Sequence, residues 1–284
     1  MLTALAWRNL ARNLRRSILT GAAVAFGLML IVWMRGLQDG SYNQMIDQAV
    51  RTRLGHLQVM QEDYLADPAV EVTVPDSKAL AQRLEELDHV RVASPRAIAE
   101  GMLSRDSELA RVDLLGVDPA SETKASVVPD RLLKGEDGQR WCHEELGRAV
   151  KIFGGDQQLF DRWCAAAGSS QYLPVDNPRA VVLGAGVAKR LLVSAGDEIT
   201  VQAVRAVGED ESEGMGRGSL SQRRLEVTGV IRTGNPEIDD RVAYLQIETL
   251  TDMVGTDGPN EIVLLLDDMR YLEDVRDEAA AVVG

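Results

Sequence analysis

The chain has 284 residues, 45% hydrophobic, 26% charged and only 4% aromatic. That composition suits a globular protein able to bury its own core without metal or disulfide staples. The net charge of −13 is unevenly divided: residues 1–17 hold Arg8, Arg12, Arg15 and Arg16 and no acid, which leaves −17 on the rest and excludes a nucleic-acid partner for so acidic a body.

In chain order, Leu2, Leu5, Leu10 and Leu14 recur at helical spacing with the four arginines largely on other faces, so residues 1–17 read as an amphipathic helix in the cytoplasmic interface, in contact with membrane lipid. Ile18–Met34 follows without a charge. That is near the lower limit of about 17 residues for a membrane-spanning helix. Trp33 at headgroup depth and a snorkelling Arg35 extend the span to residues 18–37. Basic residues gather on the cytoplasmic flank of a span, so the N-terminus is expected inside and residues 38–284 outside, in the periplasm of a bacterial inner-membrane protein. A cleaved signal peptide fits less well, because Trp33, Met34 and Arg35 stand where small residues would precede cleavage. A buried core helix would normally carry a polar face, and this segment has none. Gly21 with Ala25 and Ala23 with Gly27 provide the small-residue spacing that admits a neighbouring helix.

Asp39–Arg53 lacks strand alternation and ends at Gly55, which predicts a helical stalk leaving the membrane. Strands are predicted at residues 56–60, 70–74, 90–93, 110–117, 180–183, 198–207, 225–233, 241–245 and 261–266, with a turn at Asp118-Pro119. Helices are predicted at Ser77–Leu87, with Ser77 as its N-cap, at Gly186–Leu192 and at Tyr271–Val283. The fold class is therefore α+β. Two stretches interrupt the pattern: the insert 136–178, rich in helix formers, and the polar, Gly-rich connection 208–221, too long for a tight hairpin.

Motifs for catalysis are missing. No GxxxxGK[ST] occurs, and Gly184-Ala185-Gly186-Val187-Ala188-Lys189 has the spacing of a strand-to-helix turn, so ATP hydrolysis is not expected of this chain. His56, His89 and His143 have no metal-ligand spacing, no cofactor is implied, and the Asp239-Asp240 pair reads as a turn before a strand. Cys142 and Cys164 each follow a tryptophan; in an oxidising compartment they are expected to pair, the alternative being two buried thiols.

Taken together, the order of features resembles the transmembrane subunits of MacB-like (FtsX-like) ABC transporter permeases, most closely the lipoprotein-releasing LolC/LolE type. The segments carrying this likeness are Arg8-Asn9-Leu10-Ala11-Arg12-Asn13 with Arg15-Arg16-Ser17, Gly55-His56-Leu57-Gln58-Val59, Val92–Arg96, Gly116–Pro119, Val182–Ala188 with Gly196-Asp197, and Val227–Val230 with Thr233-Gly234 and Glu237-Ile238-Asp239. Met215-Gly216-Arg217 and Ser221-Gln222-Arg223 are similar to the hairpin that in LolC-type subunits docks a periplasmic carrier, which implies Met215, Arg217, Gln222 and Arg223 as partner contacts; a solvated loop is the alternative. The resemblance further implies a cytoplasmic ABC ATPase, a second permease subunit and a periplasmic lipoprotein carrier as partners, and three more spans beyond Gly284. It implies a βαβ-type subdomain from residues 38–117 and 225–284, and a β-rich one from 118–224 that bears the insert. A membrane-tethered binding or adaptor module and a MacB-type exporter are the competing readings.

Overall fold

The computed structural model describes residues 14–66, 69–206 and 219–283. In chain order they form α1 (Leu14–Ala49), a wide helical turn over Val50–Leu54, β1 (Leu57–Met60), α2 (Glu62–Ala66), α3 (Ser77–Glu85), β2 (Val90–Arg105), β3 (Glu108–Val117) and α4 (Pro119–Ala125). Then come α5 (Gly135–Glu145), α6 (Gln157–Ala166), β4 (Ala180–Gly184), α7 (Ala185–Leu191), β5 (Glu198–Val204), β6 (Leu220–Ile231), α8 (Pro236–Asp239), β7 (Val242–Gln246), α9 (Ile247–Val254), β8 (Glu261–Leu266) and α10 (Leu272–Val283). The fold is α+β, and the chain divides into two compact units, Met1–Val50 and Arg51–Gly284.

In the first unit, α1 carries an apolar stretch from Leu14 to Tyr42 with mean hydropathy 2.1. Leu19, Ile31, Val32 and Met34 are exposed on it. Its middle part, Ile18–Met34, has no charged face, and at about 1.5 Å per residue the stretch has the length to cross a bilayer.

The second unit is built on one eight-stranded sheet, ordered β1-β8-β2-β3-β7-β4-β6-β5, in which β5 returns to pair with β2. Six strands, from β2 through β3, β7, β4, β6 and β5, therefore close into a ring, while β1 and β8 lie outside it as a flank. β2 serves both parts: residues 90–96 pair with β8 and residues 101–104 with β5. Gly101 sits at the changeover because an added Cβ would meet Leu114 at 2.5 Å and the Gln202 carbonyl at 2.9 Å.

Alternation along the strands produces two cores. Ala99, Leu103, Val112, Leu114, Val181, Leu183, Ile199, Val201, Val227 and Leu245 belong to one, together with Leu191 of α7 and Leu250 of α9. Leu115, Val117, Val182, Val242 and Tyr244 face the other, covered by Val128, Leu173 and Ile238. Burial on both faces is why Ala180–Gly184 and the first four residues of β7, VAYL, are apolar without alternation. A third cluster packs α3 and α10 on the flank through Ala81, Leu84, Ile262, Leu264 and Ala279.

Several expectations are corrected. Residues 70–74 are not a strand; they are held as an irregular segment by Asn260, whose Nδ2 donates to the carbonyls of Val70 at 3.2 Å and Val72 at 2.9 Å. Ser77 is not the N-cap, for α3 begins at Ser77 after a left-handed Asp76. Asp118-Pro119 opens α4 instead of closing a turn: the Asp118 carboxylate accepts from the Ser121 N–H at 2.9 Å, and proline at the first helical position needs no donor. The strand expected at 90–93 continues to Arg105. The parallel pairing of β3 with β7 joins residues 108–117 to residues 242–246.

Candidate functional site

Of the expected membrane anchors, Arg15, Arg16 and Trp33 lie on α1, with Trp33 exposed; Arg8 and Arg12 lie outside the described residues. Of the expected partner contacts, Met215 and Arg217 also lie outside them, and Gln222 and Arg223 are placed on β6. They are therefore not loop residues. Gln222 stands opposite Gln202 and Arg223 opposite Val201 in an antiparallel pair, and consecutive strand residues point to opposite faces. The two side chains cannot form one adjoining contact, because the strand period sends Gln222 out of the ring while Arg223 turns toward Asp252 of α9, 3.6 Å away. On its face Gln222 is accompanied by the polar Gln202 and Arg224 and, toward the base of the hairpin, by an apolar pair: Val204 and Leu220 stand directly opposite one another and remain 52% and 71% exposed, with Met102 opposite Gln202. The alternation in EITVQAV, with Val204 in an outward position, is the sequence signal for this patch.

Cys142 on α5 and Cys164 on α6 are joined in a disulfide with Cα atoms 5.4 Å apart, both fully buried. Beside it, the Trp163 Nε1–H donates to both carboxylate oxygens of Asp197, at 3.0 and 2.9 Å. Asp197 also accepts from the Ser194 N–H at 2.8 Å and from both terminal nitrogens of Arg105 at 3.2 Å. Burial pushes the Asp197 carboxyl up from its ordinary value, offset in part by those donors. One carboxylate thus ties the insert to the β2–β3 hairpin and to the loop before β5.

The second polar node was not foreseen. Arg96, 2% exposed, donates from Nε and Nη2 to the two oxygens of Glu122, at 3.0 and 2.9 Å; the glutamate is completely buried. Its Nη1 donates to the Arg53 carbonyl. Ser94 Oγ lies 3.0 Å from Ser121 Oγ and 3.4 Å from Glu122. Glu261 of β8 is buried nearby, and desolvation raises its carboxyl above the ordinary range while Arg96 and Arg53 pull it back. A lone arginine inside VASPRAIA offers little to distinguish it from an exposed strand residue, so sequence reading passes over it.

The remaining candidates are structural. Asp239 accepts from the N–H and hydroxyl of Thr233 and the N–H of Gly234, closing the turn after β6. Gly184 packs so closely on α8 that a Cβ would lie 2.4 Å from the Asp239 carbonyl, which explains the glycine in the strand-to-helix turn. His89 stacks on Tyr271, His143 meets Phe160 edge-on, and His56 Nδ1 accepts from the Leu266 N–H. No group of three metal-ligating side chains occurs among the described residues.

The described residues thus combine one long apolar helix with an α+β domain built on a largely closed sheet. The chain belongs to the family of the MacB-like periplasmic core domain, whose model matches residues 125–282. This is the periplasmic domain of MacB/FtsX-like ABC transporter permeases, a family that implies a cytoplasmic ATPase as partner. Among solved structures, the extracellular domain of the noncanonic ABC-type transporter YknZ from Gram-positive bacteria is similar, with 14% identity, a TM-score of 0.45, and coverage of 80% of this chain and 90% of that one. The periplasmic region of MacB from Actinobacillus actinomycetemcomitans is similar with 11% identity, a TM-score of 0.44, and coverage of 80% and 83%. Comparison with curated proteins returns no match.

Proposed function

We propose that this chain is a permease-type subunit of an ABC transporter in the bacterial inner membrane, with its N-terminus in the cytoplasm and its folded domain on the far side. It passes the work of a separate cytoplasmic ATPase to a cargo at the outer face of the membrane. The observation that carries this reading is the family match over residues 125–282 in a chain that also holds one long apolar helix. Gly21 and Ala25 offer a close approach for the helix of a second permease subunit. Within the domain, the flank and the ring act as the two subdomains and meet along β2.

The finer proposal is release of lipoproteins to a periplasmic carrier that docks at the base of the β5–β6 hairpin. It rests on the likeness of Ser221-Gln222-Arg223 to the LolC-type hairpin and on the exposed Val204–Leu220 pair beside Gln222. The family match supports MacB-type export equally well. The test uses the full chain in lipid nanodiscs, with the ABC ATPase and the lipoprotein carrier of the same organism. The ATPase should co-purify, and calorimetric titration should detect the carrier. Gln222→Ala should weaken carrier binding by about 1–3 kcal/mol while leaving the melting temperature nearly unchanged, as expected for an exposed contact, and Arg223→Ala, on the opposite face, should leave carrier binding at its wild-type value. Binding of the ATPase without the carrier rejects lipoprotein release and favours export. Failure to bind any ABC ATPase rejects the transporter reading in favour of a tethered adaptor.

A further inference from the structure

The chain enters its folded domain through the wide turn Val50–Leu54, and residues 51–54 of that turn are fastened by contacts from three directions. The Val127 N–H, just beyond α4, donates to the Arg51 carbonyl at 2.9 Å. Arg96 Nη1 donates to the Arg53 carbonyl. The Arg53 guanidinium itself lies 3.9 Å from the Asp113 carboxylate of β3, and Thr52 between them is buried.

Arg96 is the member of this set that reaches more than one element. Its backbone pairs with Val117 of β3 on one side and Glu261 of β8 on the other, so it stands at the residue where the flank meets the ring. Its side chain holds both oxygens of Glu122 on α4 and, with the remaining nitrogen, the entry turn. A guanidinium is planar and offers donors in a fixed fork, so serving the carboxylate in this way sets the direction in which the third nitrogen points. A salt bridge excluded from water contributes little net stability over an apolar replacement. Geometry is what it supplies here.

We infer that Arg96 is the coupling joint of this protein, a buried arginine that locks the entry turn, α4 and the branch point of the sheet into one piece. Displacement arriving along the chain at Arg51 is then delivered to β2 and α4 together. It is not absorbed by bending at residues 51–54. The use of such a joint rests on the transporter reading, but its existence does not, and the experiment separates the two.

Hydrogen exchange is measured on the full-length chain in lipid nanodiscs, resolved at Val127, whose N–H bonds to Arg51 and does not touch Arg96. Arg96→Lys keeps a positive charge against Glu122 but has no fork to hold the Arg53 carbonyl at the same time. Exchange at Val127 should quicken by about tenfold or more, while the paired amides of β5 and β6 keep their wild-type rates. Unchanged exchange at Val127, or equal acceleration everywhere, overturns the joint. Should Arg96→Lys fail to fold, the unmodified protein still decides: under mild denaturant, Val127 should open in the same event as the β2 amides around Arg96, and earlier independent opening overturns the inference. A joint that holds in a chain that recruits no ABC ATPase leaves the inference standing and removes the transporter reading alone.

Discussion

Glu261 shows what a single buried charge does to this domain. It is 5% exposed on β8, its backbone opposite both Met60 and Arg96, and desolvation outweighs the attraction of Arg96 and Arg53, so its carboxyl titrates above the ordinary 4.5. A carboxyl whose folded value is raised favours the fold in its neutral form. Its contribution is fully present below the unfolded value and is lost as pH rises through the folded one. Glu261→Gln is neutral throughout and does not undergo that loss. The melting temperature of the variant relative to the wild type should therefore increase as pH is raised from about 4.5 to about 7, and a difference that stays constant over this range rules out the assignment. Glu122 is as deeply buried but differs in kind, because it accepts two charge-assisted bonds from Arg96. Neither glutamate is legible in the sequence. Burial of a charge depends on what the chain brings around it, and the partners here come from residues 53, 96 and 244, distant from both.

Among the elements, those buried on both faces were legible and those defined by contacts distant in sequence were not. β4 and the first four residues of β7 announce themselves as unbroken apolar runs because each face of the strand meets a core. β2 does not, since Pro95 and Gly101 look like breakers; the proline is tolerated within the β8 pairing, and the glycine is required by the approach of Leu114 and Gln202. At the candidate docking site, the hairpin was legible as a connection, but the strand continues as far back as Leu220 and so divides Gln222 from Arg223 between two faces. The insert was legible only as helix formers around two cysteines. In the structure α5 and α6 are cross-linked across a separation of 22 residues, and every Phe and Trp of residues 51–284 lies between Trp141 and Trp163. Closing a loop of that length restricts the unfolded chain, so Cys142→Ala with Cys164→Ala should lower stability by about 2–4 kcal/mol, measured by denaturant unfolding. With Trp7 and Trp33 replaced by Phe, emission from Trp141 and Trp163 should report the insert and circular dichroism the sheet; an unchanged midpoint by both probes would show that the bond has no such role.

At the scale of the whole molecule, function depends on which side of the membrane each unit occupies, and the argument comes from charge. The four arginines before Ser17 stand against an excess of acid after residue 40, and positive residues flanking a first span are retained in the cytoplasm. The apolar stretch Leu14–Tyr42 is of a length to cross about 30 Å of hydrocarbon, and the proposed topology puts its two flanks in different compartments. Cysteine labelling tests this cleanly, because the chain has only two cysteines and both are held in the buried disulfide. A single introduced thiol is then the only reactive one. Thr3→Cys and Ser107→Cys, the latter exposed in the turn between β2 and β3, place it before and well after the apolar stretch. In spheroplasts treated with a membrane-impermeant maleimide, Ser107→Cys should label at once and Thr3→Cys only after the membrane is permeabilised. The unmodified chain should not label under either condition, which checks that the disulfide is intact. The reverse pattern would invert the topology and put the MacB-like domain on the wrong side for any periplasmic partner. Equal labelling of both sites in intact spheroplasts would mean that the helix does not span the membrane, and the transmission of work from a cytoplasmic ATPase would have no path through this chain.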